Sequence, residues 1–217
     1  MIEYVTDKNT IADLARVFMR DDPEKALRLF QKAGKSIEIV ECLLALKKVV
    51  EAESAVKEVR NTLEKQVSLK IAGNEALILD LENECRQSAL LLAQFFRKAN
   101  QTKKAIFYYI VGENYQEAFE LSVQTKNEDM LIRYINQKAP QEFLKKTAKY
   151  FASPDPDSAE KRPRNMAAAA RFLELSGSVD NAIKLLLNFG DQSGDIDKAI
   201  DLLRQCKGMV DYVLKYL

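Results

Sequence analysis

Apolar side chains return every three or four positions along most of this chain. The clearest run is Val56, Val59, Leu63, Val67 and Ile71, which spaces out as one stripe of an amphipathic helix. Its period is that of a straight α-helix rather than a heptad, and it is short, so it predicts a packed helix and not a coiled coil. Segments of roughly 10–16 residues with the same periodicity fill most of the remainder. Asp22-Pro23-Glu24 has the form of a helix start, with an aspartate cap, proline at the first helical position and an acid in the first turn. Gly34, Gly112, Gly177, Gly190 and Gly208 each follow an apolar periodic stretch, where glycine can take the left-handed conformation that ends a helix. The pattern predicts an all-α chain of about eight or more helices, each packing on its neighbours in sequence.

Within that pattern one spacing of small and large residues occurs three times. Ala93, Phe96, Ala105, Tyr109 and Gly112 form the middle copy, and Ala170, Leu173, Ala182, Leu186 and Phe189 the last. The first copy is one residue tighter: Ala15, Phe18, Ala26, Phe30 and Ala33. A small residue on one helix lets the next approach, and a large residue one turn on fills the space beside it. Half-matches stand at Tyr115-Gln116-Glu117-Ala118-Phe119 and at Asp195-Ile196-Asp197-Lys198-Ala199-Ile200. Such hairpins bury their apolar faces by stacking, which predicts a superhelical solenoid. The expectation is one solenoid segment over residues 1–217. Its break in composition is the proline-rich stretch 153–163, with Pro154, Pro156 and Pro163, read as a flexible loop between helices.

The spacing resembles a degenerate tetratricopeptide (TPR) repeat. The order of motifs resembles the TPR arm of the intraflagellar transport complex A subunits, which carry WD-repeat propellers ahead of a helical solenoid. The residues that carry this likeness are Asp22-Pro23-Glu24-Lys25-Ala26, Ala93-Gln94-Phe95-Phe96, Lys104-Ala105-Ile106, Asn114 to Phe119, Lys149-Tyr150-Phe151 and Asp195 to Ile200. Residues 35–86 are longer and more charged than a repeat linker of that family. The resemblance implies a non-enzymatic scaffold that assembles with other subunits of complex A. It also implies a role in ciliary retrograde transport and ciliary entry of membrane proteins, with a place at the cilium or basal body. A free-standing TPR-type adaptor holding a peptide or helix in its groove, or a vesicle-coat-like solenoid subunit, follows from the same packing physics.

Composition narrows the chemistry. Lys and Arg number 33 against 32 Asp and Glu, a net charge of +1, so there is no bulk attraction to nucleic acid. The cluster Lys145, Lys146 and Lys149 beside Tyr150 and Phe151 has acids around it, and no nucleic-acid partner is expected. No apolar run reaches the roughly 18 residues of a membrane span, and Met1-Ile2-Glu3-Tyr4 lacks the apolar core of a secretory signal. The expectation is a cytoplasmic protein without direct membrane insertion. There is no histidine, and the 3 cysteines, Cys42, Cys85 and Cys206, stand far apart, so no zinc site, no cofactor and no catalytic constellation is expected. The cysteines are expected to be reduced and buried. Gly190-Asp191-Gln192-Ser193-Gly194 lacks the lysine of a phosphate loop and reads as a turn.

The candidate partner-binding residues come from TPR geometry, in which the first helix of a hairpin lines the groove. Transferred to the middle copy, that geometry selects Gln87, Gln94 and Arg97; transferred to the last, Arg171 and Glu174. The arginines would supply directional hydrogen bonds to an incoming segment.

Overall fold

The computed structural model describes residues 7–69, 73–154, 164–189 and 193–205. Among them are twelve helices and no β-strand. The helices are α1 (Lys8–Phe18), α2 (Pro23–Ala33), α3 (Ser36–Ala45), α4 (Val49–Leu69), α5 (Glu75–Lys98) and α6 (Thr102–Val111). They continue with α7 (Tyr115–Gln124), α8 (Asp129–Tyr134), α9 (Gln141–Ala152), α10 (Met166–Leu175), α11 (Val179–Phe189) and α12 (Ser193–Gln205). The chain forms two compact units, Met1–Leu131 and Ile132–Leu217. In the first, each helix from α1 to α7 packs on the next, and α3 also meets α5; in the second, α9 to α12 pack in chain order. All-helical packing in sequence order is what a helical solenoid requires.

The helix starts follow the local chemistry. Asp22 caps α2, its carboxylate accepting from the Lys25 N–H at 3.0 Å, with Pro23 at the first position. Asp7 caps α1 in the same way through Thr10, and Asn165 caps α10 through the Ala168 N–H at 2.9 Å. The Thr10 hydrogen bonds hold the Asp7 carboxyl below its ordinary pKa.

The three hairpins of the repeat are α1–α2, α5–α6 and α10–α11, and their small positions are fully covered. Ala15, Ala26, Ala93, Ala105, Ala170 and Ala182 are all 0 % exposed. Phe30, Phe96, Tyr109 and Leu186 are buried beside them, while Phe18 and Leu173 are half-buried. Phe96 stacks on Tyr108 across the α5–α6 contact, with ring centroids 5.6 Å apart. Phe172 stacks on Phe151 of α9 at 5.7 Å.

Six helix ends close in one way. Gly34, Lys47, Asn100, Glu113, Lys126 and Gly177 have positive φ. The N–H of the residue after each reaches back to a carbonyl in the last turn: Lys35 to Phe30, Lys48 to Leu43, Gln101 to Phe96, Asn114 to Tyr109, Asn127 to Ser122 and Ser178 to Leu173. This is the Schellman closure, which satisfies carbonyls that the helix leaves open. Gly34 and Gly177 meet the expectation for glycine, but Gly112 does not. Its φ is −79°, and the left-handed residue is its neighbour Glu113. Gly112 is needed for closeness instead: a Cβ there would lie 2.9 Å from Leu90 Cγ and 3.2 Å from the Arg86 carbonyl oxygen on α5. Gly190 and Gly208 lie outside the described residues, as do 155–163 of the proline-rich stretch. Ser193 and Gly194, read as part of a turn, are instead the start of α12.

The helix predicted from Val56 to Ile71 exists as α4, yet only its first half is core. Val56 and Val59 are buried, whereas Val67 is 49 % exposed; Ile71 lies outside the described residues. The partner helix α5 behaves likewise, with no buried residue before Cys85. Its early Leu77 and Leu79 are 46 % and 62 % exposed. Cys42 and Cys85 are free thiols in the core. Burial, followed by the charges of Glu41 and Glu38, pushes the Cys42 thiol up to about 11, so it stays protonated near neutral pH.

Candidate functional site

The polar side of α5 follows from its helical register. Gln87, Gln94 and Arg97 stand seven and three residues apart, so they share one face, and all three are exposed. Gln87 is engaged along its own helix, donating to Asn83 Oδ1 at 3.0 Å. Gln94 and Arg97 come together with Lys98, Tyr109, Asn114 and Glu117 around a groove of about 480 Å³. The Arg97 guanidinium donates to Glu117 on α7 at 2.6 Å. Hydrogen bonding to Tyr109 first, and to Glu117 second, raises its pKa above the ordinary arginine value, so it is a permanent cation. Asn114 is committed to capping α7, accepting from the Glu117 N–H at 3.4 Å. The groove therefore presents an arginine–carboxylate pair, an amide and a lysine over a tyrosine wall.

On α10 the selected residues have different work. Arg171 is half-buried, and its guanidinium donates to the backbone carbonyls of Ile132 and Ile135. These are open carbonyls at and after the end of α8, so Arg171 closes a helix end in its own unit. Glu174 pairs with Lys198 of α12 at 2.8 Å. The structure thus brings Gln94 and Arg97 into one groove, and it sets Gln87 two turns away. It gives Arg171 a structural partner that the sequence reading did not foresee.

A regularity appears when the copies are aligned on their first alanine. In each, a charged residue of the first helix bonds to the helix after next. Arg16 of α1 reaches Glu38 of α3 at 2.9 Å, Arg97 of α5 reaches Glu117 of α7 at 2.6 Å, and Glu174 of α10 reaches Lys198 of α12 at 2.8 Å. The last two occupy the same position, four residues after Ala93 and Ala170, with the charges exchanged. These pairs link successive hairpins along their first helices. Being solvated, each adds little to stability by itself. The sequence reading missed Glu117, Tyr109 and Lys198 as their partners, although Glu117 and Lys198 both precede the alanine of a half-match by one position.

Among the described residues no group of three or more His, Cys, Asp or Glu side chains is arranged to hold a metal ion, and no helix is long and apolar enough to cross a membrane. Compared with known proteins, the chain matches no protein-family model and no curated relative.

Proposed function

We propose that this chain is a non-enzymatic scaffold segment of a multi-subunit transport complex, with the assembly of intraflagellar transport complex A as its setting. The observation that carries the scaffold reading is the recurrent link from the first helix of a hairpin to the helix after next, through Arg16–Glu38, Arg97–Glu117 and Glu174–Lys198. Links of that kind hold stacked hairpins in register, and a scaffold needs register to set distances between its partners. The setting rests on the motif resemblance: the propeller-bearing subunits of complex A carry a TPR arm of this order. On this reading the hairpins form a TPR-like superhelix, and the partners are other complex A subunits at the cilium or basal body. The segment of a neighbouring subunit meets the α5–α7 groove at Gln94 and Arg97.

The test is co-purification with the other complex A subunits, using Gln94→Glu together with Arg97→Glu. Both positions are exposed, so the circular dichroism of the double variant is expected to be unchanged while recovery of the partners falls. Normal assembly by the variant at physiological salt would remove the groove from the interface. Failure of the unaltered chain to recover any complex A subunit would sink the setting itself.

A further inference from the structure

A second groove, about 550 Å³ in volume, lies between α4 and α6. Its apolar lining is Val50, Val56, Phe107, Tyr108 and Val111. Phe107 and Tyr109 are two positions apart and so sit on different sides of α6, which separates this groove from the one at Arg97. The helix α4 supplies Val50, Glu53, Ser54, Lys57, Asn61 and Glu64 to the groove, a helical spacing of three and four that runs along one edge for about 20 Å at 1.5 Å per residue. Val50 at one end is 75 % exposed.

The charges along this edge are not balanced once their internal partners are removed. Glu53 is held by Lys104 at 2.9 Å and accepts from the Tyr108 hydroxyl at 3.2 Å. Glu64 is held by Arg60 through Nε at 2.9 Å. Both acids are thus neutralised from within. Lys57 is exposed and forms no ion pair or hydrogen bond among the described residues, and Arg60 keeps its two terminal nitrogens for other acceptors. What remains is an apolar trough whose wall carries one unpaired positive charge, Lys57, beside the free N–H donors of the Arg60–Glu64 pair. A trough walled by a long face of α4 and one turn of α6 suits the helix-in-groove mode of recognition.

We propose that the α4–α6 groove receives an acidic amphipathic helix of a partner protein. Its apolar residues, spaced by three and four, would seat against Val50, Phe107 and Val111, and its carboxylates would meet Lys57 and the outer edge of Arg60. Charged hydrogen bonds from arginine to carboxylate fix the register of the incoming helix, and the apolar anchors supply most of the affinity. The proposal does not depend on the complex A setting or on the groove at Arg97.

The probe is a fluorescent helical peptide of about 14 residues, four turns, with leucines at one face and glutamates flanking them. Two controls accompany it, one with every glutamate changed to lysine and one with the leucines changed to serine. Anisotropy titrations use the full chain. The acidic peptide is expected to bind at least about tenfold more tightly than either control, a difference of about 1.4 kcal/mol. Lys57→Glu and Val50→Asp, both at exposed positions, should each weaken it, while Arg97→Glu should leave it unchanged. Equal binding of the acidic and basic peptides, or acidic binding unaffected by Lys57→Glu and Val50→Asp, would overturn the proposal. So would self-association of the full chain that the same two variants abolish, because the groove would then be an interface between copies.

Discussion

The α5–α6 and α10–α11 hairpins bury the same small positions and have different polar faces. Ala93 and Ala105 in one, and Ala170 and Ala182 in the other, are wholly buried, but Phe96 stacks on Tyr108 within its own hairpin while Phe172, one position off the aligned site, stacks on Phe151 of α9. On the polar side the position after the first alanine is Gln94 in one hairpin, exposed on a groove, and Arg171 in the other, tied to two backbone carbonyls. Three positions further on, Arg97 and Glu174 make the same kind of link with opposite charge. The crossing tolerates few side chains because two backbones approach there. The polar face tolerates many, because any bond that satisfies its groups will do.

The largest effect is therefore expected at the crossing and in both hairpins alike. Ala93→Leu, Ala105→Leu, Ala170→Leu and Ala182→Leu each insert a branched side chain where no space exists, and each should cost about 1–3 kcal/mol. Thermal or denaturant unfolding measures it. If the α5–α6 pair lowers the melting temperature and the α10–α11 pair leaves it unchanged, the two hairpins are not equivalent and the repeat ends with the first unit.

The same contrast explains what could be read from the chain beforehand. The alanine and aromatic spacing was legible because close packing restricts residue type at fixed intervals. The start of α2 was legible because Asp22-Pro23 states its own geometry. The helix ends were only partly so. Glycine marks Gly34 and Gly177, but Lys47, Asn100, Glu113 and Lys126 adopt the same left-handed conformation without it. The hydrogen bonds of the turn hold them there against a strain of about 1–2 kcal/mol each, and nothing in a lysine or glutamate announces that. Gly112 was misread for the converse reason: a glycine for closeness and a glycine for φ look alike in sequence. The α4 stripe was legible as a helix but not as half-buried, because periodicity reports a face and not what covers it. The groove between α4 and α6 was missed entirely. Phe107 and Val111 are four apart, which signals a face of α6, but the α4 wall lies some fifty residues away in sequence.

A second difference between the hairpins should appear at the residue after the first alanine. Arg171→Leu removes the donors to the Ile132 and Ile135 carbonyls and is expected to cost about 1–2 kcal/mol, as for charged hydrogen bonds to partly buried acceptors. Gln94→Leu, at the aligned exposed position, should stay within about 0.5 kcal/mol. Equal losses would mean that Gln94 has a structural partner in solution, and would count against its availability to another chain.

The smallest effect, and the sharpest on the link between hairpins, is in the ion pairs themselves. If Arg97–Glu117 and Glu174–Lys198 are one device with reversed polarity, each should accept inversion. Arg97→Glu alone places two carboxylates together, and Glu117→Arg alone two guanidinium groups; each single change should destabilise by up to about 1 kcal/mol. The double exchange should recover most of the loss, and Glu174→Lys with Lys198→Glu should do the same in the second unit. A double-mutant cycle isolates this coupling from the background of each change, and raising the salt should shrink it, since the pairs are solvated. A coupling that is present at Arg97–Glu117 and zero at Glu174–Lys198 would confine the device to the first unit. Zero coupling in both would leave the hairpins held by their apolar contacts alone, with Arg97 free to pair with a carboxylate from another chain.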